Sequence, residues 1–299
     1  MIKKQSWWLY GLVTIIVCFL SMIFFSYYIM NKFISRKIQS EKWHAKNEMI
    51  HNQLIKEYNA QPVTFNAADG TPLSGLLLMR PHAQRLFLLC HGFRRSKEHM
   101  FAFVRMFPFD SICMFDFRAH GASKGDHCSF GYYEAYDIVG ALDYCKTVTM
   151  INRLPIIAIG VSMGSMALLN ALSHQKIKVN GLVIDSCVGR LDKHIEDTFT
   201  QRTGLPRIPF LMIMQQWFKH ILHFSPAVLD PLKYAQGIHV PTLIVHSRSD
   251  AISPVDDAYA LLQAFASKQK ALWVVEHSAH ARIAHDYTQE YAQRVNEFF

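Results

Sequence analysis

The pentapeptide Gly160-Val161-Ser162-Met163-Gly164 constrains the fold of this chain more than any other segment. A short apolar, strand-like run precedes it, and the helix-forming residues 165–172 follow it. A chain that turns so sharply from a buried strand into a helix holds the residue at the turn in a strained backbone conformation. Glycines two positions before and after that residue let the strand and the helix approach closely. The pattern therefore predicts a Ser162 hydroxyl exposed above a sheet, at a helix N-terminus whose dipole favours negative charge.

Strand-like and helix-like segments alternate from Pro62 to the end of the sequence. This alternation predicts an α/β fold with a mostly parallel, doubly wound sheet and helices on both faces. Two strand-like segments joined across Asp69-Gly70 predict an antiparallel hairpin at one edge. Besides the strand and helix that flank Ser162, the predicted strands are 63–65, 73–79, 85–90, 111–117, 179–184, 242–246 and 272–275, and the predicted helices are 97–107, 132–147, 255–266 and 287–299.

Residues 187–235 interrupt this alternation. They lie between two predicted strands and are far longer than the ~2–6 residues of a usual connection. Apolar residues within 210–222 recur at helical spacing. One interpretation is an ordinary core helix. We favour a helical cap over the C-terminal edge of the sheet, because an insertion of this length needs an apolar surface to pack against.

The N-terminal segment predicts a helix that spans a membrane. No charged residue occurs from Trp7 to Met30, and a helix of 24 residues, at about 1.5 Å per residue, crosses a hydrocarbon core of ~30 Å. A cleaved signal peptide is the alternative, but the run exceeds the usual ~7–15 apolar residues, and no small-residue cleavage site follows it. We therefore divide the chain into a transmembrane anchor, residues 1–31, a helical stalk that continues from it, residues 32–60, and a domain, residues 61–299.

Basic residues are concentrated next to the predicted span. The chain carries a formal net charge of +8, and residues 1–60 hold eight Lys and Arg against three Asp and Glu. This distribution fits anionic lipid headgroups better than nucleic acid, and nothing in the sequence resembles a nucleic-acid-binding module. More basic residues follow the span than precede it, so the positive-inside rule favours a cytoplasmic domain on a single-pass membrane protein. The short basic start, Lys3-Lys4, argues for the opposite side, because such a tail often stays inside.

An acid is predicted from the order of residues after Ser162. A serine hydroxyl becomes a nucleophile only when a base accepts its proton and an acid orients that base. In open α/β sheets such groups gather at the carboxyl ends of strands. Asp250 follows the predicted strand 242–246 and is the predicted acid. Asp185 also ends a strand and is the rival.

The base is predicted from the loop after the last strand, which contains three histidines. His277 lies close to the strand, and His285 belongs to the start of the next helix. His280 lies in the middle of the loop, between small neighbours that let it reach inward. We therefore predict His280 as the base, in the chain order Ser, Asp, His.

Two backbone N–H groups are needed to stabilise the oxyanion that forms during acyl transfer. The first predicted donor is Met163, the residue after the serine. The second is expected from the loop after an earlier strand, where Gly92 permits a turn and Phe93 presents its N–H. The alternative interpretation is that His91-Gly92 forms a turn without chemistry.

Together, these segments resemble the α/β-hydrolase superfamily, and its serine esterases and acylhydrolases in particular. Residues 116–125, Asp-Phe-Arg-Ala-His-Gly-Ala-Ser-Lys-Gly, are similar to that family's D-x-R-x-x-G-x-S-x-G loop, which shapes the site without taking part in catalysis. The resemblance covers residues 62–299. Ser247 stands where such proteins usually have a glycine, in the turn before the acid. The resemblance implies an α/β-hydrolase fold with Ser162 as nucleophile, Asp250 as acid, His280 as base, and Phe93 and Met163 as oxyanion donors.

We expect a membrane-anchored serine hydrolase that cleaves a carboxylic ester or thioester through an acyl-enzyme. The predicted cap and anchor favour a lipid or other acyl substrate. This chemistry needs no cofactor and no metal, and the six cysteines contain no C-x-x-C pair that would suggest a zinc site. One alternative is a serine peptidase on the same fold, although those commonly carry a propeller domain for which this chain has no room. The other is a hydrolase-like protein that binds a partner at the membrane without turnover; the sequence leaves the oligomeric state open.

Overall fold

The computed structural model describes residues 2–35, 40–175, 177–204 and 206–299, so residues 36–39 of the predicted stalk and residue 205 of the predicted cap lie outside it. The helices in chain order are α1 (Ile2–Ile34), α2 (Glu41–Tyr58), α3 (Phe101–Met106), α4 (Glu134–Thr147), α5 (Met163–His174), α6 (Leu191–Thr203), α7 (Arg207–Leu222), α8 (Pro231–Ala235), α9 (Val255–Ala264), α10 (Ile283–Asp286) and α11 (Thr288–Phe298). Short 3₁₀ helices lie at Lys97–Met100 and Pro226–Val228. The strands are β1 (Gln61–Asn66), β2 (Pro72–Leu78), β3 (Leu86–Cys90), β4 (Ser111–Phe115), β5 (Ile156–Val161), β6 (Gly181–Asp185), β7 (Thr242–Ser247) and β8 (Lys270–Val275).

Within the described residues, eight strands form one sheet in the order β1-β2-β4-β3-β5-β6-β7-β8. β2 pairs antiparallel with both β1 and β4, and the remaining neighbouring pairs are parallel. The predicted mostly parallel sheet with an antiparallel hairpin at its edge is therefore confirmed. The strand order changes direction at β3, which lies between β4 and β5. The loops that follow β3 and β5 thus leave the sheet side by side at its carboxyl edge, where open α/β sheets bind ligands.

The central strands are buried on both faces. Every residue of β3, β4, β6 and β7 is buried. Helices cover both faces of a parallel sheet, so both sets of alternating side chains must be apolar, and such strands read as unbroken apolar runs. This is why Leu86–Cys90 is predicted as a strand although its sequence does not alternate.

The chain divides into two compact units. The larger unit contains residues 36–191 and 229–299, and therefore the whole sheet. The smaller unit contains residues 1–35 and 192–228. In this division α2 belongs to the unit that contains the sheet, and residues 192–228 of the predicted cap belong to the smaller unit.

The predicted stalk is not one helix that continues from the span. α1 ends at Ile34, and α2 begins at Glu41. Ser40 lies before α2 with an extended backbone (φ −69°, ψ 155°), and its hydroxyl accepts a hydrogen bond from the first turn, which is the geometry of an N-cap. In α2, Asn47 is buried and donates a hydrogen bond to Ser96 Oγ at 3.2 Å. The segment after Ser40 is thus part of the domain that contains the sheet.

The N-terminal helix has the predicted length and composition. Within α1, Trp7–Ile34 forms a stretch of 28 residues that is long and apolar enough to cross a membrane, and most of it is exposed. A signal sequence meets the same criteria of length and composition. In the smaller unit, α1 packs against α7.

Candidate active site

The turn between β5 and α5 has the strained geometry that its sequence predicts. Ser162 has φ 54° and ψ −114°, a conformation that residues with a side chain rarely adopt. Its backbone N–H donates to the carbonyl of Asp185 at 2.8 Å, which ties the turn to β6. A Cβ atom on Gly160 would lie 2.6 Å from the backbone nitrogen of Ser165, and one on Gly164 would lie 2.2 Å from the carbonyl oxygen of Cys90. The two glycines therefore permit an approach that no other residue allows.

We expect Gly164→Ala to destabilise the larger unit by at least ~2 kcal/mol, because the added methyl group meets backbone atoms that cannot rotate away. The measurement is the urea midpoint of the full chain in detergent. Gly237→Ala is the matched control, because the nearest atom to a Cβ at that position is 3.9 Å away. Equal midpoints for the two variants would show that β3 and α5 are not packed as tightly as described.

The structure brings Ser162, His280 and Asp250 together. His280 Nε2 lies 2.8 Å from Ser162 Oγ, and His280 Nδ1 lies 2.7 Å from Asp250 Oδ2. The three side chains come from the loops after β5, β8 and β7, which all leave the sheet at its carboxyl edge. With the hydrogen on Nδ1, the imidazole donates to the carboxylate, and Nε2 is free to accept the serine proton.

The environment of Asp250 favours its ionised form. Burial alone would raise the pKa of this carboxyl. The hydrogen bond and charge of His280, together with N–H groups of Ser253 (3.0 Å) and Ile252 (2.8 Å), hold the pKa below its ordinary value instead. Asp250 is therefore negatively charged at neutral pH and is able to stabilise a positive charge on His280.

Ser247 connects the loops of the acid and the histidine. Its hydroxyl accepts hydrogen bonds from the N–H of Ser249 at 3.3 Å and from the N–H of Ser278 at 3.1 Å. Ser247 is not among the described residues with positive φ, so this turn does not require the glycine that related proteins usually have there. A serine is therefore accommodated at this position without backbone strain. Its hydroxyl links the loop that carries Asp250 to the loop that carries His280.

Asp185, the rival acid, has a different set of partners. Ser186 Oγ donates to its Oδ1 at 2.8 Å, and Tyr291 donates from its hydroxyl to Oδ2 at 3.2 Å. Burial raises the pKa of Asp185 to about 6. The carboxylate that bonds to His280 is that of Asp250, and Asp185 supports the backbone beneath the turn at Ser162.

The raised pKa of Asp185 predicts a pH effect on stability. Because the folded-state pKa lies above the ordinary 3.8, the native form holds this proton more tightly than the unfolded chain. The resulting stabilisation is complete below pH ~4 and is lost as the pH rises through about 6. We expect Asp185→Asn to become more stable relative to the unmodified chain, on the order of 2 kcal/mol, between pH 4 and pH 7. Urea midpoints at several pH values measure this, with the exposed Asp143→Asn as control; parallel curves for all three chains would contradict it.

The two predicted oxyanion donors lie on segments that flank Ser162. Met163 is the first residue of α5. The loop after β3 passes directly beside the turn, since a Cβ atom on Gly92 would lie 3.5 Å from the Cβ of Ser162. Phe93 follows Gly92, and its ring packs against Phe130 with centroids 4.9 Å apart.

Two buried histidines join this loop to the loop that follows β4. His91 Nε2 accepts the N–H of Phe117 at 3.0 Å, and His120 Nε2 accepts the N–H of Arg94 at 3.0 Å. The Nδ1 atom of each ring lies 2.8 Å from a carbonyl oxygen of its own loop. The sequence identifies the His91-Gly92 turn and the 116–125 loop separately, and it carries no signal that the two loops bond to each other.

The 116–125 loop is held by buried ion pairs. The Asp116 carboxylate accepts hydrogen bonds from the side chain of Lys97 at 2.6 Å and from its N–H at 2.7 Å. Arg118 forms an ion pair with the buried Asp137 at 2.6 Å. These bonds fix the loop that carries His120.

The described part of the chain offers no evident metal site. Within it, no group of three or more His, Cys, Asp and Glu side chains is placed to hold a metal ion. The six cysteines are free; Cys18 is exposed and the other five are buried.

The chain is similar to curated bacterial proteins and to solved esterase structures. It is 25% identical over 283 residues to the uncharacterized protein YqkD of Bacillus subtilis, which covers 92% of this chain and 91% of that protein. It is 26% identical over 214 residues, 68% of each chain, to the uncharacterized protein YfhR of Salmonella typhimurium. The Pyrococcus furiosus esterase Pf2001 superposes with a TM-score of 0.66 at 24% identity, over 81% of this chain and 92% of that chain. Est1E of Butyrivibrio proteoclasticus with bound ferulic acid superposes with a TM-score of 0.63 at 18% identity, over 79% of this chain and 98% of that chain. These structures share the fold of this chain.

Residues 87–297 match the alpha/beta hydrolase family. The matched segment runs from β3 to α11 and contains Ser162, Asp250 and His280. It comprises more than half of the chain, and the predicted α/β-hydrolase fold is confirmed by this match and by the solved structures. The chain therefore belongs to the alpha/beta hydrolase family.

Proposed function

We propose that this protein is a serine hydrolase that cleaves a carboxylic ester or a thioester. The proposal depends on one observation, the hydrogen-bonded series from Ser162 Oγ through His280 (2.8 Å) to Asp250 (2.7 Å). Membership of the alpha/beta hydrolase family supports it. The esterases with the same fold are consistent with a carbonyl compound as substrate.

In the proposed reaction, Ser162 Oγ attacks the carbonyl carbon while His280 Nε2 accepts the hydroxyl proton. The negative charge that develops on the carbonyl oxygen is stabilised by the N–H groups of Phe93 and Met163. His280 then gives the proton to the leaving alcohol or thiol, and an acyl-enzyme remains. Water attacks this ester with His280 again as base, which releases the acid and restores Ser162.

The proposal includes attachment to a membrane through α1, with the domain on the cytoplasmic side. The length and composition of Trp7–Ile34 support the attachment. The basic residues after the span, among them Lys32, Lys42 and Lys46, support the orientation. An anchored hydrolase meets lipids and acylated molecules at high local concentration, so we include a lipid or acyl ester as substrate class.

Labelling with a fluorophosphonate probe tests the proposal. The full chain in detergent is expected to be labelled, because the probe phosphonylates a serine that an adjacent base has activated. Ser162→Ala is expected to remain unlabelled. Ser173→Ala, an exposed serine on the same helix α5, is expected to be labelled like the unmodified chain. No labelling of the unmodified chain, or equal labelling of all three, would refute the serine-hydrolase proposal.

Hydrolysis of p-nitrophenyl esters and of a p-nitroanilide distinguishes ester from peptide chemistry. We expect turnover of the esters and little turnover of the anilide, with higher kcat/KM for octanoate than for acetate. Preference for the anilide would favour a peptidase. Preference for acetate would contradict a lipid or long-chain acyl substrate.

A further inference from the structure

After Arg207, the N-terminal half of α7 contains a continuous run of apolar residues. No polar side chain occurs from Ile208 to Met214. Of these seven residues, Leu211 is the one that is buried, while Ile208 is 71% exposed and Met212 is 56% exposed. An exposed apolar segment of this kind marks a contact with a membrane or with another molecule.

α7 lies against the helix that is long enough to cross a membrane. Tyr27 of α1 and Trp217 of α7 make an edge contact with ring centroids 4.9 Å apart. Ser26, Met30 and Ile34 are buried and recur every four residues, so they form one face of the last turns of α1. The exposed apolar segment of α7 and the predicted span are thus parts of one compact unit, in which α1 and α7 are packed together.

Polarity changes along α7. Its C-terminal half carries Gln215, Gln216, Lys219 and His220. Its first residue, Arg207, lies 3.4 Å from Asp197 and 3.6 Å from Glu196. Apolar side chains partition into the acyl-chain region, and basic side chains next to them are attracted by anionic headgroups.

We propose that residues 208–214 insert into the bilayer leaflet beside α1, so that the protein contacts the membrane through two elements. Lys219 and His220 then lie at the level of the headgroups. The inference depends on α1 as membrane anchor, which is part of the proposed function, and it does not depend on the chemistry of Ser162.

Depth-dependent fluorescence quenching in nanodiscs tests the insertion. A polarity-sensitive dye on the exposed native Cys18 reports on α1 in the full chain. In a Cys18→Ser background, Met212→Cys reports on the apolar half of α7, Gln216→Cys on its polar half, and Ser173→Cys on the domain. With doxyl-labelled lipids, we expect strong quenching at positions 18 and 212, at least two-fold weaker quenching at 216, and none at 173.

The outcomes separate the two hypotheses. Quenching at position 18 without quenching at position 212 overturns the insertion and leaves the anchor intact. An absence of quenching at both positions overturns the anchor and the insertion together. Fluorophosphonate labelling of the same samples reports independently on Ser162.

A second observation, independent of the first, concerns the peptide group that carries the N–H of Phe93. The carbonyl of Gly92 and the N–H of Phe93 belong to one planar trans peptide, so they point in opposite directions. His91 Nδ1 lies 2.8 Å from this carbonyl oxygen, and the N–H of Arg94 donates to His120 Nε2 at 3.0 Å. The peptides on both sides of Phe93 are therefore fixed by imidazole rings.

Both rings need the same neutral tautomer for this arrangement. Each Nε2 accepts a backbone N–H, so each proton must lie on Nδ1, where it is donated to a carbonyl of the same loop. Burial holds the pKa of His91 well below its ordinary value, so this ring stays neutral. The rings of His91 and His120 are also in edge contact, with centroids 5.2 Å apart.

We infer that His91 and His120 are positioning residues that aim the N–H of Phe93 at the oxyanion. The inference depends on the proposed function. His91 holds the Gly92–Phe93 peptide through the Gly92 carbonyl, and His120 holds the Phe93–Arg94 peptide through the Arg94 N–H. Loss of either ring therefore frees one of the two peptide groups of Phe93. The expected consequence is a loss in kcat, because an oxyanion donor acts in the transition state more than in the ground state.

The test compares two replacements of His120 in the full chain. His120→Phe keeps the ring and removes the acceptor, and we expect it to lower kcat for an ester by about 10- to 100-fold with little change in KM. His120→Gln places an amide oxygen near the position of Nε2 and is expected to restore most of kcat. The exposed His82→Phe is the control. An unchanged kcat in His120→Phe, or equal losses in the Phe and Gln variants with equal unfolding midpoints, overturns the inference. Labelling of the unmodified chain by fluorophosphonate shows whether the proposed function itself holds.

Discussion

Ser162→Ala is expected to lower kcat for p-nitrophenyl ester hydrolysis by about 10⁶-fold, because in the proposed mechanism the Ser162 hydroxyl forms the acyl-enzyme. The variant keeps the rest of the site, including the proposed oxyanion donors, so KM is expected to change little. Alanine keeps the Cβ atom that serine already carries at φ 54° and adds no new atom, so the fold is expected to persist. Steady-state kinetics in detergent, with active-site titration of the unmodified chain, measure the effect.

The control for this loss is Ser173→Ala, which changes an exposed hydroxyl on the same helix. Its kcat is expected to equal that of the unmodified chain. A Ser162→Ala chain that keeps more than a few per cent of kcat would show that a different nucleophile performs the reaction.

Asp250→Asn is expected to lower kcat by about 10⁴-fold with little change in KM. The Asp250 carboxylate accepts a hydrogen bond from His280 Nδ1, whereas the NH₂ group of an asparagine donates one to it. Nδ1 must then carry no proton, so the ring proton lies on Nε2. His280 then cannot accept the proton of Ser162, although the 2.7 Å and 2.8 Å contacts are preserved in length. The measurement is kcat against pH for the variant and the unmodified chain.

Asp185→Asn provides the comparison for this second prediction, because Asp185 is the rival carboxylate at the end of β6. We expect a much smaller loss of kcat from it, since its bonds go to Ser186 and Tyr291. A larger loss in Asp185→Asn than in Asp250→Asn would identify Asp185 as the acid.

The parts of the fold that follow from local sequence could be predicted. The apolar strand before Ser162, the small residues after it and the two flanking glycines are enough to predict a sharp strand-to-helix turn. Asp250 and His280 follow later strands, and parallel strands place their carboxyl ends at one edge of the sheet, so their proximity to Ser162 follows from topology. The roles of these residues in catalysis remain predictions.

The features that sequence analysis missed depend on contacts between distant segments. Helical spacing in residues 31–60 fits one continuous helix, and the break before Glu41 depends on how Ser40 is held. The apolar run 208–214 is visible in the sequence, but periodicity describes a face and not its partner, so the packing of α7 on α1 cannot be read from it. The bonds of His91 and His120 join two loops that no local pattern relates.

The packing of α1 against α7 has a consequence for how this protein is handled. Residues 1–35 and 192–228 form one compact unit, in which the predicted anchor α1 packs against α7. Removal of α1 to obtain a water-soluble enzyme would take away the surface that Trp217 packs against and would expose more of α7. The shortened chain would lack the apolar helix α1, but we expect it to be more prone to aggregation through the newly exposed apolar side chains of α7. α1 therefore contributes packing to the smaller unit in addition to its proposed role as a membrane anchor.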